Sequence, residues 1–162
     1  MKDRGLEQNL GPCIATADRN GVPYSIRLKR AREAICKSPE ETAAVVGVSV
    51  PTYYDWEWGE GDISSTASLR DLARLSAALG VPTAAIFEDD KSAKESVSPA
   101  QLAEKVQAHL DGTGTTIADF EDRVGFVIEP FLRDPSKMLS WNLDCLRFVC
   151  RQVGVDWHDA LP

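Results

Sequence analysis

The chain has 162 residues, 43% of them apolar, and carries 18 basic against 25 acidic side chains for a formal net charge of −7. That length and apolar content suffice for one packed domain or two small ones. The charge excludes a protein that coats nucleic acid through a broad cationic face, and no apolar run nears the roughly 20 residues needed to span a bilayer. The N-terminus lacks the apolar core of a secretion signal, so a cytoplasmic location is expected. Cys13, Cys36, Cys145 and Cys150 form no C-x-x-C pair, and His109 and His158 complete no zinc-ligand spacing with them. No metal and no cofactor is expected, and the cysteines read as reduced and packed.

Residues 1–24 contain Gly5, Gly11, Pro12, Gly21 and Pro23, which break any period, and read as an N-terminal arm. A hairpin about Asn20-Gly21 is the alternative, against which Pro23 argues. A first helix is expected from about Ser25 to Cys36 with Leu28, Ala31 and Ile35 facing in. Between Arg19 and Lys37 lie six basic residues (Arg19, Arg27, Lys29, Arg30, Arg32, Lys37) and one acid, Glu33. The stretch makes either a basic patch or an ordinary solvated helix face.

Residues 38–59, S-P-E-E-T-A-A-V-V-G-V-S-V-P-T-Y-Y-D-W-E-W-G, are the best-punctuated part of the chain. Ser38 is an N-cap, Pro39 suits the first helical position, and Glu40 and Glu41 place negative charge where the helix dipole favours it. Gly47 supplies a left-handed stop, and Ser49 caps the next helix with Pro51 in its first turn. Val46, Val48, Tyr53 and Trp56 fall on the inner faces of the pair, and Ala43 stands where the helices cross closely. This is a helix, a tight turn and a second helix. Residues 60–68 read as a polar, flexible loop. Leu69, Leu72, Leu75 and Leu79 then make the inward stripe of a helix that Gly80 stops, and Pro82 leads into a short helix with Ile86 and Phe87.

Residues 90–98 are polar and charged without a period and read as a linker. Beyond it, residues 143–155 overlay residues 69–81 without a gap, placing Leu143 on Leu69, Leu146 on Leu72, Val149 on Leu75, Val153 on Leu79 and Gly154 on Gly80. Residues 116–125, capped by Thr116 and ended by Gly125, match residues 38–47 in layout, and residues 102–110 supply the helix ahead of them. The second half therefore reads as a degenerate copy of the first.

The spacing of Ala43, Gly47 and Trp56-Glu57-Trp58-Gly59, with residues 28–34 before it and residues 69–81 and Ile86-Phe87 after it, resembles the phage-repressor and Cro-like (XRE-type) helix-turn-helix family. The resemblance implies an all-α chain of two small helical bundles of the lambda-repressor-like type: an arm at 1–24, a first domain at 25–89, a linker at 90–98 and a second domain at 99–162. It also implies a bacterial or phage transcription regulator whose third helix enters the major groove of double-stranded DNA. The reading positions are then Val50, Pro51, Thr52, Tyr54 and Asp55, with Arg27, Lys29, Arg30 and Lys37 on phosphates. Arg32 and Glu57 stand where the family places a structural ion pair.

Three departures weigh against groove reading. Pro39 replaces a phosphate-anchoring glutamine, Val50, Pro51 and Asp55 are poor base readers, and the loop at 60–65 is acidic. In the second copy, Phe126, Val127, Ile128, Phe131 and Leu132 either form an exposed face for a homodimer or protein partner, or are buried against Met138, Leu139 and Trp141. The alternative function is a protein-interaction module, a co-regulator or antitoxin-like adaptor, that has lost DNA readout. No nucleophile–base pair or Gly-rich phosphate loop is present, so no enzyme is expected.

Overall fold

The computed structural model describes residues 23–87 and 95–162. Among them the chain is all-α. The helices are α1 (Tyr24–Ala34), α2 (Pro39–Val46), α3 (Val50–Trp58), α4 (Ile63–Thr66), α5 (Leu69–Leu79), α6 (Thr83–Phe87), α7 (Pro99–Thr113), α8 (Ile117–Val124), α9 (Glu129–Arg133) and α10 (Leu143–Val153). Two 3₁₀ turns, η1 (Pro135–Ser140) and η2 (Trp157–Ala160), complete the order. The expected arm or hairpin up to residue 22 lies outside the described residues, as do residues 88–94 of the linker region.

Local chemistry sets the helix ends. Ser38 accepts from the Glu41 N–H at 3.1 Å while Glu41 returns a carboxylate to the Ser38 N–H at 2.8 Å, closing a capping box at the head of α2. Such a cap is worth about 1 kcal/mol. Ser68 with Asp71 and Ser98 with Gln101 repeat the device on α5 and α7. Gly47, at φ 84°, ends α2 in the left-handed region and lets Ser49 begin α3 three residues after Val46.

The leucine stripe of α5 is fully internal: Leu69, Leu72 and Leu75 are 0% exposed. It packs on α2, while α1 packs on α3 and α6. Around it Leu28, Ala43, Val46, Tyr53, Trp56 and Ile86 fill the core of the first half. In the second half Leu102, Val106, Phe120, Phe131, Leu143, Leu146 and Val149 do the same, and the two sets form one continuous cluster. The halves also share polar contacts. The Leu69 N–H donates to the Trp141 carbonyl at 2.7 Å, and Asn142 Nδ2 donates to the Ser65 carbonyl at 2.9 Å.

Three expectations of the fold change, and one open choice is decided. Tyr24 does not end an arm but opens α1, buried, with its hydroxyl donating to the Gly61 carbonyl at 2.7 Å. Ile35 is exposed, because α1 ends at Ala34 and Cys36 turns the chain at φ 54°, so the helical period no longer carries position 35 inward. Residues 60–68 are not a bare loop: Asp62 caps α4, and Ile63 and Ala67 enter the core. Of the two readings left open for residues 126–132, the buried one holds for Ile128 and Phe131 rather than the partner surface, with the Phe131 and Trp141 rings 4.6 Å apart and Met138 in the same core.

A Cβ at position 47 would meet the Arg74 guanidinium at 3.3 Å and would be held at positive φ. Gly47→Ala is expected to lower unfolding free energy by about 1–2 kcal/mol, the cost of left-handed backbone for an L-residue, read from the denaturant midpoint at unchanged slope. The thiols give a second check of the core. Burial pushes the Cys150 thiol up to about 12, with Asp156 and Asp159 adding to the effect, whereas Cys36 is exposed. An alkylating reagent at pH 8 should therefore label Cys36 in the native protein and reach Cys150 only after denaturation, as peptide mapping would show.

Candidate nucleic-acid interface

The candidate site is built on α2, its turn and α3. Ser49 begins α3 by accepting the Thr52 N–H at 3.2 Å, and Pro51 occupies the first turn without leaving an amide unpaired. Tyr53, Trp56 and Glu57 face inward, and Trp56 Nε1 donates to Thr66 Oγ1 at 3.2 Å, which ties α3 to α4. The opposite face is left to solvent: Pro51 and Asp55 are exposed, and Val50, Thr52 and Tyr54 are half-buried. Of the expected reading set, Pro51 and Asp55 face solvent, Thr52 and Tyr54 are partly open, and Val50 packs against the core.

Arg32 holds that helix in place. Its Nε donates to Glu57 Oε1, its second terminal nitrogen to Glu57 Oε2 at 3.0 Å, and its first to the Lys37 carbonyl at 2.8 Å. One guanidinium therefore joins the end of α1, the approach to α2 and the end of α3. The hydrogen bond to Glu57 raises the Arg32 pKa above its ordinary value against the opposing effect of burial. Tyr53 lies in the same interior, where desolvation first, and the Glu57 carboxylate next, push its hydroxyl well up.

The expected phosphate ligands divide. Lys29 and Arg30 are exposed on α1, and Lys37 is half-buried. Lys29 faces Glu33 one turn on at 3.9 Å, with both side chains more than half exposed. Arg27 does not belong to this surface, since it is buried at 8% exposure in the packing of α1. Of the apolar residues expected at a partner surface, Ile128 and Phe131 are interior, Phe126 and Leu132 are half-buried, and Val127 alone is exposed. The Phe126 ring also packs on Trp141 at 5.2 Å.

Two residues that the sequence reading passed over stand at this site. Trp58 is 64% exposed and its ring lies 4.9 Å from that of Tyr54. The helical period signals this, because a residue two places beyond the buried Trp56 points to the other side. Arg74 of α5 reaches Val46 beside the turn, its guanidinium 3.5 Å from the Val46 carbonyl. Only the packing of α5 on α2 places it there.

The electrostatics are mixed. Tyr54 donates its hydroxyl to Glu40 at 2.8 Å, linking α3 to the head of α2. The Glu40 carboxylate is held below its ordinary range by its own backbone amide at the helix start and then by Tyr54. Glu40 is therefore anionic at neutral pH beside the reading face, where Asp55 and Glu60 are also exposed. Among the described residues no group of three or more His, Cys, Asp or Glu is placed to hold a metal ion, and no helix is long and apolar enough to cross a membrane.

A capped helix, a left-handed glycine turn and a second helix with one face outward define a protein bearing a helix-turn-helix domain. A family model described as helix-turn-helix matches residues 28–86, which spans α1 from Leu28 through Ile86 of α6. No curated protein matches the chain.

Arg32→Ala would strand the Glu57 carboxylate in the core, and a loss of about 3–5 kcal/mol is expected for breaking such a pair. The double variant Arg32→Met/Glu57→Leu should recover most of that loss. Equal destabilisation of the single and double variants in urea unfolding would count against a buried, coupled pair.

Proposed function

We propose that the protein is a DNA-binding transcription regulator that engages duplex DNA through the helix-turn-helix of residues 28–86. The observation that carries this reading is the α2–turn–α3 unit itself. Its second helix is fixed from behind by Arg32 and Glu57, and its outward face carries Pro51, Thr52, Tyr54 and Asp55. A helix fixed in this way can lie in a major groove, where Thr52 can touch a base edge or a thymine methyl. Lys29, Arg30 and Lys37 supply phosphate contacts, and these position the domain without reading sequence. Arg74 adds a cation beside the turn.

In this reading the C-terminal half is a degenerate copy that does not read DNA. Several features support it. The eight-residue helices α2 and α8 both end on a left-handed glycine, Gly47 or Gly125, and the eleven-residue helices α5 and α10 both end on Gly80 or Gly154. The counterpart of α3 is α9, which has only five residues. Its start is capped by Glu121, which accepts the Ile128 and Glu129 N–H groups at 2.8 and 3.1 Å. With Ile128 and Phe131 committed to the interior, the duty of this half shifts from outward docking to support of the first.

A second reading, a protein-docking module without DNA readout, is favoured by one observation. The exposed Trp58–Tyr54 ring pair is bordered by Glu40, Asp55 and Glu60, an aromatic surface with the wrong sign for phosphate.

Salt dependence separates the two. If Lys29, Arg30 and Lys37 contact phosphates, retention of duplex DNA should fall about 40-fold between 50 and 200 mM salt, the counterion release expected for three contacts. Lys29→Glu with Arg30→Glu should abolish retention while leaving the helical circular-dichroism signal unchanged. Glu40→Gln, which removes a negative charge beside α3, should raise affinity several-fold. Unchanged DNA retention in both variants would sink the phosphate face.

A further inference from the structure

The bridge and the helix contacts between the two halves are reciprocal. When α5 is laid on α10 without a gap, Ser68 falls on Asn142, the residue that caps the next helix in each case. These two residues face one another in an isolated antiparallel bridge. An antiparallel pairing of equivalent positions is what a two-fold axis through that point produces. The helix contacts agree. α5 packs on η1, and α10 packs on α4. Since η1 and α4 occupy the same place ahead of α10 and α5 respectively, the two contacts are reciprocal, as in an isologous interface where i meets j and j meets i.

The interface is also built to be kept. Leu69 and Leu143, directly after the bridged residues, are both 0% exposed. The Leu69 amide, one of the orphan donors at the head of α5, is satisfied by the Trp141 carbonyl of the other half at 2.7 Å. Asn142 reaches across to the Ser65 carbonyl at the end of α4. These surfaces of the first half are thus covered by residues of the same chain.

We propose that the chain is a self-contained pseudo-dimer: its C-terminal half occupies in cis, across a local two-fold at Ser68 and Asn142, the place of a second subunit. The partner of this face is therefore the chain itself. The consequence for recognition rests on the DNA-binding reading above. One candidate groove-reading helix, the nine-residue α3, serves each molecule, so the protein binds a single asymmetric site on duplex DNA as a monomer rather than an inverted repeat as a dimer. A homodimer through this face is excluded by occupancy.

Two measurements on the full chain test the proposal. Bridged residues in an antiparallel pair have Cα atoms about 4.5–5.5 Å apart, inside the range a disulfide accepts. Ser68→Cys with Asn142→Cys, made with Cys13→Ser and Cys36→Ser so that neither thiol can compete, should give on oxidation a crosslinked monomer of about 17.7 kDa with a raised melting temperature. A crosslinked dimer would mean the halves pair between chains and would overturn the proposal. The unaltered protein, sedimented alone and with duplexes selected from a random pool, should be monomeric and should form a one-to-one complex on a motif without dyad symmetry. Two chains on an inverted repeat would overturn single-site binding. Failure to retain any duplex at low salt would remove the DNA-binding reading and single-site recognition together, and the crosslink would still decide the pairing in cis.

Discussion

The buried pair of Arg32 and Glu57 is the constraint on which the first half depends. Neither charge can leave without stranding the other in a medium that solvates it poorly, so the two act as one unit. The net stabilisation from such a pair is small, but its geometry is demanding. The guanidinium meets both carboxylate oxygens and the Lys37 carbonyl, so α1, the start of α2 and the end of α3 are fixed to one planar group. Apolar contacts such as Tyr53 and Trp56 against Leu28 and Ile63 supply the larger share of burial, yet they tolerate sliding. The ion pair is directional, and it sets the angle at which Thr52, Tyr54 and Asp55 face solvent.

Most of the first half was legible because its signals are local. Ser38, Pro39 and Glu41 specify the head of α2, Gly47 its end and Ser49 the next start, and each works through its own backbone neighbours. The same holds for α5 and α10, whose apolar period and terminal glycine are written in twelve consecutive residues each. What stayed hidden depends on tertiary packing. Tyr24 looks like loop until the Gly61 carbonyl is placed against its hydroxyl. α4 is one turn long, too short for a period, and only Ile63 and Ala67 mark it. Residues 126–132 are apolar whether they face in or out, and the choice was made by Met138 and Trp141, which belong to a later element.

At the site, the legible part was the backbone and the less legible part was the charge. Lys29 and Arg30 stand on α1, whereas Glu40, Asp55 and Glu60 surround α3. A net charge of −7 does not decide the outcome. At solvent-exposed separations of 4 Å a unit pair is worth about 1 kcal/mol, and salt screens anything beyond about 10 Å. The sign within one Debye length of each phosphate therefore matters more than the total. In the proposed complex with DNA, attraction would come from α1 and from Arg74, and the acids of α2 and α3 would limit affinity and favour an approach that leans on α1.

The unequal lengths of α3 and α9 bear on the proposal that the second half does not read DNA. Nine residues of helix extend about 13 Å, and five extend about 7 Å, little more than one turn. One turn cannot present the three or four side chains that contact successive base edges. α9 is cut short by the Asp134-Pro135 step, where the chain becomes extended and proline cannot continue the ladder. Its inward residues persist all the same, with Ile128 at 0% and Phe131 at 1% exposure. On the proposed reading, a second half that keeps buried residues and the Ser68–Asn142 contact but no long outward helix suits a demand to cover the first half rather than to read DNA.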